Sequence, residues 1–176
     1  MMECNGISAL VQRTRRGDAD ALEELYARYG RMVYRIAYGL TQSEADAEDV
    51  LQDVFAGLPE ALRSFEGRSR LRDWLKTVAT RRSLMLLRQK RLRREVMLDG
   101  SGAEPTERAE PVIDRIALQR ALAELPDALR VVFILKEVEG YSHEEIGRLI
   151  GTGAGGSASR LHRARNMLRD RLKGSA

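Results

Sequence analysis

The segment "EEIGRLIGTGAGGSASRLHRAR", residues 144–165, decides how the chain folds. Gly151, Gly153, Gly155 and Gly156 crowd into six positions, and a basic run follows at once. Such a stretch is a phosphate-cradling loop, a flexible linker, or the turn before a DNA-reading helix. Gly151, Gly153 and Gly156 have the G-x-G-x-x-G spacing of a dinucleotide loop. That fingerprint needs a strand before it and an acid about 20 residues after it. Here a helical pattern precedes it, and only about 20 residues follow. A Walker loop needs Lys after Gly156, and Ser157 stands there. Nucleotide binding is therefore set aside.

The helix-turn-helix reading fares better. Ser142 and Glu145 form a capping-box pattern that opens a short helix ending near Ile150. A glycine turn and a basic helix from about Gly156 to Lys173 complete the motif. In that helix Leu161, Ala164, Met167 or Leu168, and Leu172 are expected to face the core. Arg160, Arg163 and Arg165 are then left for phosphates or base edges. From these residues alone an ordinary hairpin of two helices stays open.

Outward from this segment the pattern is helical almost throughout. Leu22, Leu25, Tyr26, Tyr29, Met32, Val33, Ile36 and Leu40 recur at three- and four-residue steps. A turn at "TQSEAD" follows. Val50, Leu51, Val54, Phe55 and Leu58 then form a stripe, with Glu48, Asp49, Gln52 and Asp53 on its other side. "FEGRS" breaks the pattern, and Leu71, Trp74, Leu75, Val78, Leu84 and Leu87 resume it. "LDGSGAEPTERAEPVID" is rich in Gly, Pro, Ser and acid, and reads as a linker. Helices return at "VIDRIALQRALAEL" and "DALRVVFILKEVEG", where Gly140 suits a helix stop. The expected fold is all-α: two small helical domains, residues 8–96 and 112–174, joined by a linker at 97–111.

Composition agrees. Of 176 residues only 5% are aromatic, which disfavours a β-sandwich, while 43% are hydrophobic, enough for real cores. The net charge of +4 is small, but the charges are segregated. Ser43 to Glu66 holds seven acids and one base; Arg68 to Arg94 holds eleven bases and one acid. Gly155 to Lys173 adds six bases and one acid. One such run is an ordinary solvated face. Two basic runs in two domains point to a polyanion. His143 and His162 are the only histidines, and no nucleophile–base arrangement is visible, so no enzyme, metal or cofactor is expected. Cys4 is the sole cysteine, which excludes an internal disulfide and fits a reducing cytoplasm. Apolar runs such as "VVFIL" at 131–135 are too short to span a bilayer.

"AEDVLQDVF", "FEGRSRLRDWLKTVATRR", "ALAELPDALRVVFILKEVEGYSHEEIGRLIG" and "SRLHRAR" occur in that order. Together they resemble the extracytoplasmic-function (group IV) sigma factors of bacterial RNA polymerase, over roughly residues 15–95 and 112–173. The resemblance implies core RNA polymerase and promoter DNA as partners, with an anti-sigma factor as a further one. Glu48, Asp49, Gln52 and Asp53 match the stretch that holds the polymerase clamp helices. Arg70, Arg72, Lys76, Arg81, Arg82 and Arg88 lie in the stretch that melts the promoter and binds the −10 element. Ser159, Arg160, Arg163 and Arg165 lie in the helix that reads the −35 element. Trp74 matches a family tryptophan and is read as a core anchor. The family often has Asn where Arg81 stands and Asp where Met85 stands, so the −10 preference is open. Around the turn Gly153 replaces Pro, Gly156 replaces Thr, Ser157 replaces Val, and Ala158 replaces Lys or Arg. Two rival readings are a stand-alone helix-turn-helix regulator and a sigma-like decoy that titrates an anti-sigma factor.

Overall fold

The computed structural model describes residues 2–97 and 113–173, and among these every regular element is helical. The linker expected at 97–111 lies, apart from Met97, outside them. Two compact units divide the chain, Met1–Arg93 and Arg94–Ala176.

The first unit contains α1 (Met2–Arg15), α2 (Ala19–Thr41), α3 (Glu44–Ala56), the short α4 (Leu58–Ala61) with a 3-10 turn (Leu62–Ser64), and α5 (Leu71–Met97) up to Arg93. Its core draws on the residues that periodicity selects, Leu25, Val33, Ile36 and Leu40 from α2, Val50, Val54 and Phe55 from α3, and Leu58, Leu71 and Leu75, and adds Leu62. Leu22, Tyr29, Met32, Leu51, Trp74, Val78 and Leu87 of the same stripes are half-buried. Each buried side chain of the core contributes about 1.5–3 kcal/mol. Tyr26 departs from its stripe. It is exposed and meets Phe55 edge-on, with ring centroids 5.0 Å apart.

Local chemistry sets the helix ends. The Asp18 carboxylate caps α2 by accepting from the Ala21 N–H at 3.1 Å, and it also accepts from Arg13 Nε at 2.8 Å. Those bonds hold the Asp18 carboxyl below its ordinary range, Arg13 having the larger effect. Gln42 closes α2 with φ +56°, its side-chain amide donating to the carbonyls of Tyr38 and Gly39. Ser43 caps α3. The helix α1 is an addition to the expected elements. It buries Leu10 and Val11, and its Arg15 guanidinium donates to the carbonyls of Leu62 (2.8 Å) and Phe65. Arg15 thereby anchors the loop that follows α4.

The second unit contains α6 (Ile113–Ala123), α7 (Asp127–Phe133), α8 (His143–Ile150) and α9 (Ala154–Lys173). Between α7 and α8 the helix widens into a π turn, Ile134–Val138. Glu139 N–H bonds the Ile134 carbonyl at 3.0 Å, an i to i+5 step, before Gly140 turns the chain with φ +77°. Ala121, Leu125, Val132, Leu135, Ile146, Leu161, Ala164 and Leu168 form the core.

Two expectations for α9 need correction. It begins at Ala154, two residues early, because the Ser157 N–H already bonds the Gly153 carbonyl at 3.1 Å. Its core stripe uses Leu168, with Met167 only half-buried, and Leu172 is 37% exposed rather than in the core. Arg171 takes the next place along that stripe, paired with Glu124 at 3.3 Å.

Candidate nucleic-acid and polymerase interfaces

In the first unit the predicted acids are exposed on α3 and most of the predicted cations are exposed on α5. On α3, Ala47, Val50 and Val54 are buried while Glu48, Asp49, Gln52 and Asp53 are all exposed. Asp46, in the first turn of α3, is the exception among these acids: it is buried and accepts from Lys90 Nζ at 2.5 and 2.6 Å. One cation of the basic helix is thus spent on tying α5 to α3. The exposed acids make this face electronegative beyond their own helix. Burial pushes the Tyr34 phenol above its ordinary value, and Glu44 and Glu48 push it further.

The predicted DNA residues of this unit do not form one cluster. Arg70 and Arg72 line an open cleft of about 820 Å³ with Val11, Arg15, Tyr29 and Phe65. Arg88 lies about 24 Å further along α5 than Arg72 at 1.5 Å per residue. Arg81, Met85, Arg88 and Leu92 are spaced i, i+4, i+7, i+11, and all four are exposed, so they share one outward face. Arg82 is exposed and Lys76 half-buried on other sides of the helix. Trp74 is half-buried, its ring 5.3 Å from Phe65 beside the cleft.

In the second unit α8 carries the full capping box. Ser142 Oγ accepts from the Glu145 N–H at 3.2 Å, and Glu145 Oε2 accepts from the Ser142 N–H at 2.8 Å. These bonds hold the Glu145 carboxyl below its ordinary range, the Ser142 backbone N–H acting most. A depressed carboxyl adds stability above its unfolded value, and that share is lost as pH falls through the lower folded one. Ser142→Ala is expected to cost about 1 kcal/mol. A lowered thermal midpoint of the full chain at neutral pH would show it.

The glycines now separate by role. Gly151 ends α8 with φ +72°, its N–H bonded to the Gly147 carbonyl. Gly155 has open space around it. A Cβ at Gly156 would lie 2.3 Å from Thr152 Oγ1, so alanine there requires Thr152 to turn away, a constraint the sequence does not show. The closest approach of backbone to backbone is at Gly147, inside α8. A Cβ there would stand 2.6 Å from the Thr152 carbonyl oxygen, 3.2 Å from Gly153 C and 3.3 Å from Ala154 N. Gly147 is what lets the turn lie against α8.

Across this turn, Ser157 is fully buried and its Oγ lies 2.9 Å from His143 Nδ1. Thr14, Thr41 and Ser83 turn their hydroxyls back to the carbonyl four residues earlier; Ser157 instead joins α9 to α8. His143 is therefore part of the packing and not a plain surface residue. On α9, Ala158, Ser159, His162 and Arg163 are exposed and Arg160 is half-buried. Arg165 is not free as expected: its guanidinium donates to Glu137 of the π turn at 2.7 Å. The arrangement offers a donor-rich outward helix face following a tightly held turn.

The class defined by these features is an all-α, two-unit protein whose second unit carries a helix-turn-helix. The chain belongs to the extracytoplasmic-function (ECF) RNA polymerase sigma factors. The family described as sigma-70 region 2 matches residues 25–93, and sigma-70 region 4 matches residues 115–168. The RNA polymerase sigma factor CarQ of Myxococcus xanthus is 33% identical over 167 residues, covering 92% of this chain and 95% of CarQ. The ECF sigma factor SigE of Mycolicibacterium smegmatis is 33% identical over 166 residues, and the match spans 89% of this chain and 64% of SigE. Among solved structures, the sigma factor RpoE of Bartonella quintana, crystallised with the anti-sigma factor NepR, is similar with a TM-score of 0.67 at 27% identity. That match covers 86% of this chain and 96% of RpoE.

Proposed function

We propose that this chain is a non-catalytic, cytoplasmic specificity subunit that directs core RNA polymerase to promoters. Residues 8–96 hold polymerase and the −10 element, 112–174 read the −35 element, and 97–111 join them. One observation carries the reading: a single folded unit presents exposed acids on α3 and exposed cations on α5. The acids Glu48, Asp49 and Asp53, with Gln52, suit a basic protein surface. The cations of α5 follow phosphates, and the cleft beside Arg70, Arg72 and Trp74 suits an unstacked base, whose extrusion costs only a few kcal/mol. No helix among the described residues is long and apolar enough to cross a membrane. An anti-sigma factor, the class of partner present in the RpoE structure, fits the same two units. Size-exclusion chromatography of the chain with core polymerase tests the reading, comigration being expected and separate elution contradicting it.

Ala158 favours a second reading, a sigma-like decoy, since the exposed start of α9 lacks a cation there. Ala158→Arg separates the two. In the full-length chain it is expected to raise −35 duplex affinity and to steepen the salt dependence by about one unit of slope. If neither changes, this face does not meet DNA and the decoy reading gains.

A further inference from the structure

The outward face of α9 carries a short relay of hydrogen bonds that fixes the tautomer of one ring. Arg169 Nη1 donates to Asn166 Oδ1 at 3.3 Å, and Asn166 Nδ2 lies 3.1 Å from His162 Nε2. A guanidinium only donates, so it claims the carbonyl end of the Asn166 amide. The amide NH₂ is then the end that faces the imidazole. Two donors cannot bond each other, so His162 Nε2 is the acceptor and the ring proton of the neutral form sits on Nδ1. The ring is exposed, and Nδ1 has no partner among the described residues.

The positions fit this outward role. His162, Asn166 and Arg169 follow one another at four- and three-residue steps, on the side of α9 away from Leu161, Ala164 and Leu168. Ser159 and Arg163, two exposed residues of the predicted DNA set on α9, stand on the same side. A recognition helix uses such an outward face in its N-terminal half to touch base edges.

We propose that His162 reads a base as a hydrogen-bond donor, with Asn166 and Arg169 as positioning residues that hold it in the Nδ1–H tautomer. Its target is an acceptor in the major groove, guanine O6 or N7, adenine N7 or thymine O4, while the amino groups of cytosine and adenine are refused. This rests on the reading of α9 as the −35 helix. It adds a residue outside the arginine and serine set, and it adds a chemical sense to the selection.

The test is selection from a randomised duplex library by the full-length chain, comparing wild type, His162→Phe and Asn166→Leu. Both changes are at exposed or half-exposed positions, and far-UV circular dichroism verifies folding. His162→Phe keeps a ring and removes the donor. It is expected to reduce discrimination at one base pair by about tenfold, with the salt slope unchanged because no phosphate contact is lost. Asn166→Leu keeps the histidine and frees its tautomer, so a smaller loss is expected at that same base pair. A histidine that served only for packing would not respond to Asn166→Leu. Wild-type selection with unchanged preference in both variants overturns the relay and leaves the −35 reading intact. No selection by the wild type overturns the −35 reading, and the relay with it.

Discussion

Gly147→Ala is expected to destabilise the second unit by about 1–3 kcal/mol and to weaken −35 duplex binding by at least tenfold. The reason is backbone against backbone. The new Cβ would stand 2.6 Å from the Thr152 carbonyl oxygen, with Gly153 C and Ala154 N also inside ordinary contact distance. No side chain can rotate away to relieve that. The turn must lift from α8, and α9 must move with it, because the Thr152 N–H is bonded to the Gly147 carbonyl at 2.9 Å. Gly155→Ala is the matched control. It sits in α9 with nothing within 4 Å of its Cβ position, and alanine there favours the helix by up to about 1 kcal/mol. Denaturant unfolding of the full chain and duplex affinity measure both effects. If Gly147→Ala is tolerated as well as Gly155→Ala, the close approach does not set the helix-turn-helix geometry.

Reversing Glu48, Asp49 and Asp53 to lysine is expected to abolish capture of core polymerase while leaving helicity unchanged. All three are exposed on α3, and the buried side of that helix keeps Val50, Val54 and Phe55. Like charges brought against a basic partner cost several kcal/mol. Asp46, though acidic and adjacent, must be left alone, since it is buried against Lys90 and its loss would unsettle the fold. A pull-down with immobilised core polymerase reads the result. Undiminished capture would remove this face from the interface.

The elements with strong periodicity and side-chain caps were legible in the sequence. Ser142 and Glu145 announced α8, and the acids of α3 separated from Val50 and Val54 by spacing alone. What was not legible depends on approach between distant positions. Leu10 and Val11 give α1 too short an apolar stripe to stand out beside its polar residues. Gly147 lies within an apolar pattern, and nothing local tells that a carbonyl five residues on will press against it. The π turn at Ile134–Val138 runs through an unbroken helical pattern. The pairs His143 with Ser157, Glu137 with Arg165, and Asp46 with Lys90 join residues 14, 28 and 44 apart. Each withdraws a polar side chain from the inventory of surface groups that a linear reading compiles. The glycine question of the opening segment resolves the same way. One glycine stops a helix, one admits the turn and one faces a threonine hydroxyl.

The central claim is that this chain gives core polymerase its promoter choice. Run-off transcription with purified chain, core polymerase and genomic DNA, with transcript starts mapped, tests it most directly. Starts that depend on the added chain and share one pair of upstream elements at −35 and −10 are expected. Starts identical with and without the chain would contradict it.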